Sequence, residues 1–372
     1  GAMEVDSSFS DGSVQLALRL FQSKSRTSSV VSPLSIALTM GMMNAGAAGT
    51  TRRQISESLF KGRSADEINT LAIQYRQELG KLRIGSVLYV DKSFDVKADF
   101  KSDLSENYKI EVKEADFSNS PSNERSRINA EIKKATEGHI CDMIPEGSIG
   151  ADTTLVIANA IHFSLPFKSA FETNKTRMRT FYNEDNSTKE VPMMHNARQE
   201  GRFLSTDKFD YVDFSFESEL YNRCCDYNLF VIVPKACTLS ELVAEFANNV
   251  FSLSDVFKQA AMIALDVALP MFKIDDFYDL KTPLQSMGVA NAFTKQADFA
   301  QIAENPVNID FIMHKTVFDL GEKGVTAAAA TVCGLIEMCG YIFEGKASIV
   351  ADRPFLFGVR HKRLPLFIGQ YY

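Results

Sequence analysis

The sequence predicts an α+β fold in a single domain. Helical patterns come first, and strand and helix patterns then follow without the regular alternation of a doubly wound or barrel fold. The chain has no internal repeat, no low-complexity linker and no shift in composition that would mark a domain boundary. We therefore predict one domain over residues 3–372, preceded by a cloning scar at residues 1–2.

The first helix that the sequence predicts has clear signals at both ends. Ser32 before Pro33 is typical of a helix N-terminus, and Gly46 ends the apolar helical spacing that follows. Apolar runs and helical spacing predict the later elements. In chain order these are a helix at 50–59, a strand at 84–90, helices at 98–108 and 126–136, strands at 155–163, 228–234 and 264–273, a helix at 280–287, and strands at 354–359 and 364–369.

Composition and charge exclude several classes of function. The 372 residues are 45% hydrophobic and 23% charged with a net charge of −7, which argues against disorder and against binding to nucleic acid or anionic membranes. No apolar run reaches the ~18 residues of a membrane-spanning helix. The sequence contains no nucleotide-binding loop, no metal-ligand spacing and no pattern typical of a catalytic triad. We predict no cofactor and no enzymatic activity.

Signals for the cellular compartment point in two directions. Neither a basic region nor an apolar signal segment follows Met3. Six cysteines without framework spacing fit a reducing compartment, whereas the glycosylation triplets at Asn174 and Asn186 favour secretion. We predict a cytoplasmic protein, with a mature secreted form as the alternative.

Residues 321–353 are the most unusual part of the chain. From Gly324 to Ile336 there is no charge and no proline, and four consecutive alanines occupy 327–330. Alanine favours a helix, but the segment lacks the charged face that an exposed helix needs. Small uncharged residues without proline also suit a strand that enters a sheet. The residues alone leave both interpretations open.

Several motifs occur in a characteristic order over roughly residues 10–370. The segment from Glu322 through Gly324 to the alanines is followed by Asp352-Arg353-Pro354-Phe355. Further motifs are Ser32-Pro33-Leu34-Ser35-Ile36, Asn159-Ala160-Ile161-His162-Phe163, Val191-Pro192-Met193-Met194, Leu269-Pro270-Met271-Phe272 and His314-Lys315-Thr316. Together they resemble the serpin family of serine protease inhibitors.

The resemblance implies a metastable serpin fold with three β-sheets, surrounding helices and an exposed reactive-centre loop at about residues 322–346. It also implies two groups of functional residues. The hinge, where the loop leaves the central sheet, comprises Glu322, Gly324, Val325, Thr326, Ala327, Ala328, Ala329 and Ala330. The shutter, beneath that sheet, comprises Ser32, Ser35, Asn159 and His314.

The family mechanism implies a suicide substrate. A serine protease attacks the loop, forms an acyl-enzyme, and is trapped when the freed loop inserts into the central sheet. With Gly324 at the family's fifteenth position before the cleaved bond, that bond joins Met338 to Cys339. An unbranched apolar residue at this position suits a chymotrypsin-like or elastase-like pocket. Alternative positions for the cut are Leu335, Tyr341, Phe343 and Lys346.

The predicted partner is therefore a chymotrypsin-like or elastase-like serine protease, bound by a monomeric inhibitor. The hinge residues from Val325 to Ala330 include no bulky, charged or proline residue, which favours an inhibitor over a non-inhibitory serpin such as a chaperone or carrier. A cysteine protease is an alternative target. Two positions depart from the family pattern, because Glu131 and Phe167 stand where tryptophan is usual. Both departures concern packing near the top of the central sheet.

Overall fold

The computed structural model describes residues 6–78, 83–217, 227–326 and 345–372. Its α-helices are α1 (Asp11–Ser23), α2 (Pro33–Gly46), α3 (Gly49–Leu59), α4 (Ala65–Glu78), α5 (Ala98–Asp103), α6 (Pro121–Ala135), α7 (Leu239–Ala247), α8 (Leu253–Gln259) and α9 (Lys281–Ser286). Within these ranges, no helix combines the length and the apolar character needed to cross a membrane.

The strands of the described residues complete the α+β architecture that the sequence predicts. They are β1 (Ser29–Val31), β2 (Arg83–Asp91), β3 (Val112–Ala115), β4 (Leu155–His162), β5 (Leu165–Pro166), β6 (Arg177–Tyr182), β7 (Thr188–Ser205), β8 (Phe209–Ser215), β9 (Tyr227–Pro234), β10 (Ala261–Pro270), β11 (Phe272–Asp279), β12 (Phe311–Gly321), β13 (Gly324–Val325), β14 (Lys346–Val350), β15 (Phe355–His361) and β16 (Leu364–Tyr371).

The chain divides into two compact units. The first unit comprises residues 1–17, 31–162 and 275–317, and the second comprises 18–30, 163–274 and 318–372. Strand β12 therefore begins in the first unit and ends in the second. The assignment of 3–372 to one domain stays a prediction.

In the first unit, four strands pair in the order β3-β2-β4-β12. Every residue of β4 is buried, and its side chains alternate between the two faces of the sheet. On one face Val156 and Ala158 belong to a buried apolar cluster with Ile128 and Ile132 of α6. Asn159 points to the opposite face, and α2 contacts β4. The polar side chain of a central strand is thereby directed away from the α6 cluster.

Helix α2 confirms the end signals that its sequence carries. It begins at Pro33 and ends at Gly46, and the Ser32 hydroxyl caps it by accepting the amide hydrogen of Ser35. All fourteen of its residues are buried. A helix without a polar face is stable only where it is covered on all sides, which explains why this one packs inside the unit.

In the second unit, nine strands form one sheet in the order β1-β16-β15-β9-β8-β7-β10-β14, with β6 paired to β7. The described strands of the protein therefore join into two hydrogen-bonded sheets instead of the three that the resemblance implies. The cause is the eighteen-residue length of β7. Its first part pairs with β6 and its last part with β8, so one strand links two groups that would otherwise be separate sheets.

Candidate functional site

Gly324 and Val325 of the predicted hinge form β13, which belongs to the same sheet as β12 and not to the nine-stranded sheet. Strand β13 pairs antiparallel with β12, with Gly324 opposite Gly321 and Val325 opposite Leu320. On its other side β13 pairs antiparallel with β5, and the Val325 side chain is fully buried. Gly324 and Val325 therefore form a short strand between two others.

The rest of the predicted loop is only partly covered by the structure. Lys346 is described and is the first residue of β14. Four predicted hinge residues, both residues of the predicted reactive bond and three alternative positions for the cut lie outside the described residues: Ala327, Ala328, Ala329, Ala330, Met338, Cys339, Leu335, Tyr341 and Phe343.

Gly324 occupies a position that only glycine can fill. Its φ angle is +148°, in a region that L side chains rarely adopt. A Cβ atom at this residue would lie 2.2 Å from the Leu165 carbonyl oxygen and 2.7 Å from the Pro166 Cα atom. The close approach of β5 to β13 therefore depends on this glycine.

The turn before β13 is fixed by two backbone hydrogen bonds. The amide hydrogens of Phe167 and Phe171 donate to the carbonyl oxygens of Lys323 and Glu322, each at 2.8 Å. Phe167 is buried, and its ring stacks at 5.2 Å between centroids on Phe216. Phenylalanine thus fills the position where the resemblance leads one to expect tryptophan, and it does so within an aromatic cluster that supports the turn.

The hinge segment, which we define as residues 322–326, contains two buried oxygen atoms without a hydrogen-bond partner. These are Oε2 of Glu322 and Oγ1 of Thr326. Thr326 also has a φ angle of +48°, although its amide hydrogen still donates to the Asp319 carbonyl oxygen at 2.7 Å. An unpaired buried oxygen and a left-handed β-branched residue each raise the free energy of a folded chain.

The predicted shutter residues meet in the first unit. We call them, together with Thr316, the His314 cluster: Ser32, Ser35, Asn159, His314 and Thr316. The Ser32 amide hydrogen donates to Nε2 of His314 at 3.1 Å. Because Nε2 is an acceptor, the ring proton resides on Nδ1, which lies 2.9 Å from Oδ1 of Asn159. The hydroxyl oxygen of Thr316 also lies 3.1 Å from Nε2, so three partners fix the proton of the neutral imidazole.

Asn159 is the most connected residue of the His314 cluster. The Ser35 hydroxyl donates to its Oδ1 atom. Its Nδ2 atom donates to the hydroxyl oxygens of Thr39 and Ser86 at 3.0 Å and 2.9 Å. Sequence reasoning missed Thr39 and Ser86. A polar residue within an apolar strand or helix was the available signal, but a single hydroxyl is too common to be informative.

Burial controls the charge of His314. Its side chain is almost completely enclosed, and burial lowers the pKa of His314 from 6.5 to about 3. Protonation would also place a hydrogen on Nε2, where the Ser32 amide already donates. The cluster therefore holds a neutral imidazole at neutral pH.

The two serine hydroxyls of the cluster are not activated nucleophiles. Ser32 contacts His314 through its backbone amide, and the Ser35 hydroxyl donates to an amide oxygen. Neither serine thus has its hydroxyl hydrogen-bonded to the imidazole as a general base requires. In the described part of the chain, no group of three His, Cys, Asp or Glu residues could hold a metal ion. The cluster is suited to joining β4, β12 and α2.

The second departure from the family pattern lies on α6. Oε1 of Glu131 forms an ion pair with Nζ of Lys113 at 2.6 Å, and its other oxygen accepts a hydrogen bond from the Tyr89 hydroxyl. Asn129 on the same helix is buried, and its Oδ1 accepts the Ile144 amide hydrogen at 2.8 Å. A polar network therefore takes the place of an aromatic side chain here.

Nearly the whole length of the chain matches one protein family. The model of the family described as Serpin (serine protease inhibitor) matches residues 10–372. The chain belongs to the serpin family. Serpins are mostly protease inhibitors and are not generally catalytic enzymes, although some members are non-inhibitory.

Two named relatives match this chain over nearly its full length and over nearly their own. The leukocyte elastase inhibitor of Bos taurus is 28% identical, and the match covers 96% of this chain and 96% of the relative. Serpin B4 of Homo sapiens is 26% identical over 98% of this chain and 99% of its own length.

A solved serpin structure has the same fold. The native stressed conformation of Arabidopsis AtSerpin1 superimposes with a TM-score of 0.84 at 25% sequence identity, and covers 100% of this chain and 98% of that chain. The fold expected from the resemblance is confirmed.

Proposed function

We propose that this serpin is a suicide-substrate inhibitor of chymotrypsin-like or elastase-like serine proteases. The protease serine attacks the Met338 carbonyl, the peptide bond to Cys339 breaks, and the new amine of Cys339 leaves with a proton supplied by the protease. The acyl-enzyme then moves with the loop as the loop inserts. Insertion must be faster than hydrolysis of the acyl bond.

The observation that carries this proposal is the pairing of Gly324 and Val325 between β5 and β12. This strand can extend residue by residue only as β4 and β12, which pair directly with each other from Phe311 to Val317, separate. The residues from Val325 to Ile336 carry no charge and no proline, so none of them opposes entry into a sheet. Insertion of residues 325–338 at ~3.3 Å each would move the attached protease roughly 45 Å.

The side chain before the cut supports the protease class. Met338 is apolar and unbranched, which suits the pocket of a chymotrypsin-like or elastase-like enzyme. Lys346 is a poor alternative for a trypsin-like enzyme, because it pairs with Ala264 of β10 as part of a strand. Proteases bind an extended chain whose backbone is free. Leu335, Tyr341 and Phe343 stay alternatives for the cleaved position.

The proposal includes a monomeric inhibitor that acts in the cytoplasm on a protease and needs no cofactor, nucleic acid or membrane. The cysteine spacing and the net charge of −7 support this assignment. Cell fractionation with an antibody to the chain would test the compartment, and light scattering of the free and complexed protein would test the stoichiometry.

The direct test is incubation with chymotrypsin, elastase and trypsin in separate reactions. We expect a covalent complex on denaturing gels with chymotrypsin or elastase. We also expect a released peptide whose mass is that of residues 339–372. The matched variant Met338→Arg should transfer complex formation to trypsin, because only the side chain in the protease pocket changes. Cleavage of the wild-type loop without any complex would contradict trapping and favour a non-inhibitory serpin.

A further inference from the structure

The apolar residues of the C-terminal hairpin, which β15 and β16 form, do not determine its register. Every residue of both strands is buried. A slip of two residues against β9 would return each side chain to its original face of the sheet and would bury it again. Burial of apolar surface alone therefore does not select one register.

Arg360 is the one residue of β15 with a permanent charge, and its partner lies two strands away. Its Nε and Nη2 atoms donate to Oδ2 of Asp213 in β8 at 3.1 Å and 2.9 Å. The two side chains are only 4% and 1% exposed. Since β9 lies between β15 and β8, this buried ion pair joins three strands of the sheet.

Further contacts enclose the Arg360–Asp213 pair. The Tyr211 hydroxyl donates to the same Oδ2 atom at 2.6 Å. The Cζ atom of Arg360 lies 5.5 Å from the centre of the Phe257 ring on α8, and Nη1 donates to the Lys362 carbonyl oxygen at 2.8 Å. Water and salt screen such an enclosed pair only weakly, so a structure in which the two charges are separated is strongly disfavoured.

The distance between the two charges depends on the register of β15. Arg360 lies opposite Asn228 of β9. Asp213 lies opposite Phe230, so the pair is offset by two residues along β9. A slip of two residues that carries Arg360 away from Phe230 would lengthen this offset by ~7 Å and leave both charges buried without each other. The opposite slip would put Arg360 in the place of Gly358, where a Cβ atom would lie 2.4 Å from Cζ of Phe230.

We propose that the Arg360–Asp213 ion pair is a register lock, which places the C-terminal hairpin correctly against β9. A buried ion pair adds little net stability compared with apolar residues of similar size, because the transfer of both charges out of water is costly. Its effect is selective, since the native register keeps the two charges together and a slipped register does not. This role is independent of protease inhibition, so it can be tested without a protease.

The test compares variants of the full-length chain after refolding from urea. The double variant Asp213→Asn/Arg360→Met removes both charges and keeps an oxygen that can accept the Tyr211 hydroxyl. Arg360→Met alone leaves a buried carboxylate without its ion-pair partner, and Arg360→Lys keeps the positive charge. The matched control, Asp210→Asn/Lys235→Met, removes a partly exposed ion pair of 3.1 Å between β8 and the residue after β9.

Two quantities are measured for each protein: the melting temperature, and amide hydrogen exchange of residues 355–371 by mass spectrometry. Coexisting registers bond different amides and give two exchange populations, whereas a uniform loss of stability does not. We expect the double variant to melt within about 5 °C of the wild type and to show a second population of at least about 10%. Arg360→Met should melt lower than the wild type by about 5 °C or more. The wild type, Arg360→Lys and the control should each show one population.

A single exchange population in the double variant would overturn the register lock and assign the register to the fit of the Phe230 ring against Gly358. If the double variant does not refold, the other two variants at residue 360 decide. Two populations in Arg360→Lys would overturn the proposal, because the positive charge would then not determine the register. One population in Arg360→Lys, together with the lower melting temperature of Arg360→Met, would support it.

Discussion

The His314 cluster and the hinge segment both contain buried polar atoms, but they differ in whether those atoms have hydrogen-bond partners. In the cluster, the side-chain atoms of Asn159 and His314 have hydrogen-bond partners, and the imidazole is neutral. In the hinge segment, Glu322 and Thr326 each bury an oxygen without a partner, and Thr326 is strained. A disturbance of the His314 cluster raises the free energy of the native state, because satisfied hydrogen bonds are lost. A rearrangement of the hinge segment lowers it, because unpaired oxygens and strain are removed. The proposed insertion mechanism requires both kinds of region.

The largest effect is expected from a charge in the hinge segment. Val325 is fully buried between β5 and β12, so Val325→Arg would place an unpaired charge inside a sheet. We expect the fraction of protease captured as covalent complex to fall by at least about tenfold, with the loop still cleaved. Densitometry of denaturing gels measures both products. Val325→Thr, which has the same shape, is the control, and equal capture by the Arg variant would contradict the insertion path.

Next in size is the loss of the central residue of the His314 cluster. Asn159→Ala would leave the Ser35, Thr39 and Ser86 hydroxyls and the His314 ring without their partner. We expect the free energy of unfolding to fall by about 3 kcal/mol or more, since several buried groups lose their bonds together. Urea unfolding measures this loss. Asn174→Ala on the surface should change stability by less than about 0.5 kcal/mol, and equal losses in both variants would refute the assigned role.

A smaller, pH-dependent effect follows from His314. Its folded pKa of about 3 lies below the unfolded value of 6.5, so the unfolded chain binds the extra proton between these values. The stabilisation is complete above pH 6.5 and is lost as the pH falls towards 3, by about 1.4 kcal/mol per pH unit. At pH 5 we expect a loss of about 2 kcal/mol relative to His314→Gln, which cannot titrate. Parallel stability curves for the two proteins between pH 7 and pH 5 would show that His314 does not titrate on unfolding.

The smallest effect concerns the unpaired acid of the hinge segment. Glu322→Gln replaces a carboxylate, whose buried Oε2 atom has no hydrogen-bond partner, by a neutral amide. We expect the uncleaved chain to gain about 0.5–1 kcal/mol of stability. The exposed Glu172→Gln serves as the control in the same unfolding experiment and should give no gain. A loss of stability in Glu322→Gln would mean that the carboxylate has a favourable role in the native state.

The sequence predicts the two regions unequally well. Helix α2 carries its own end signals, and Gly324 is explained by a backbone contact that only glycine allows. The bonds of Thr39 and Ser86 to Asn159 join residues far apart in the chain, so no local pattern could reveal them. The positive φ of Thr326 contradicts the preference of threonine for extended backbone, and propensity alone would have predicted the opposite.

Element boundaries were missed where tertiary pairing overrides local pattern. The strand predicted at 264–273 is two strands, β10 and β11, separated at Met271. Helix α6 begins at Pro121, five residues before its predicted start, because its polar first turn carries no apolar periodicity. Strand β7 was not predicted, since its exposed and buried residues do not alternate regularly along its eighteen residues.

The melting temperature of the cleaved chain tests most directly whether the cleaved loop enters the sheet next to Gly324 and Val325. The loop would be cut by a protease that is not trapped, and the cut and intact proteins melted side by side, with Val325→Arg as the matched control. Insertion adds a strand that is paired on both sides, so the cut wild-type chain should melt at least about 10 °C above the intact one, and the cut variant should not. A cut wild-type chain that melts at or below the intact chain would contradict insertion.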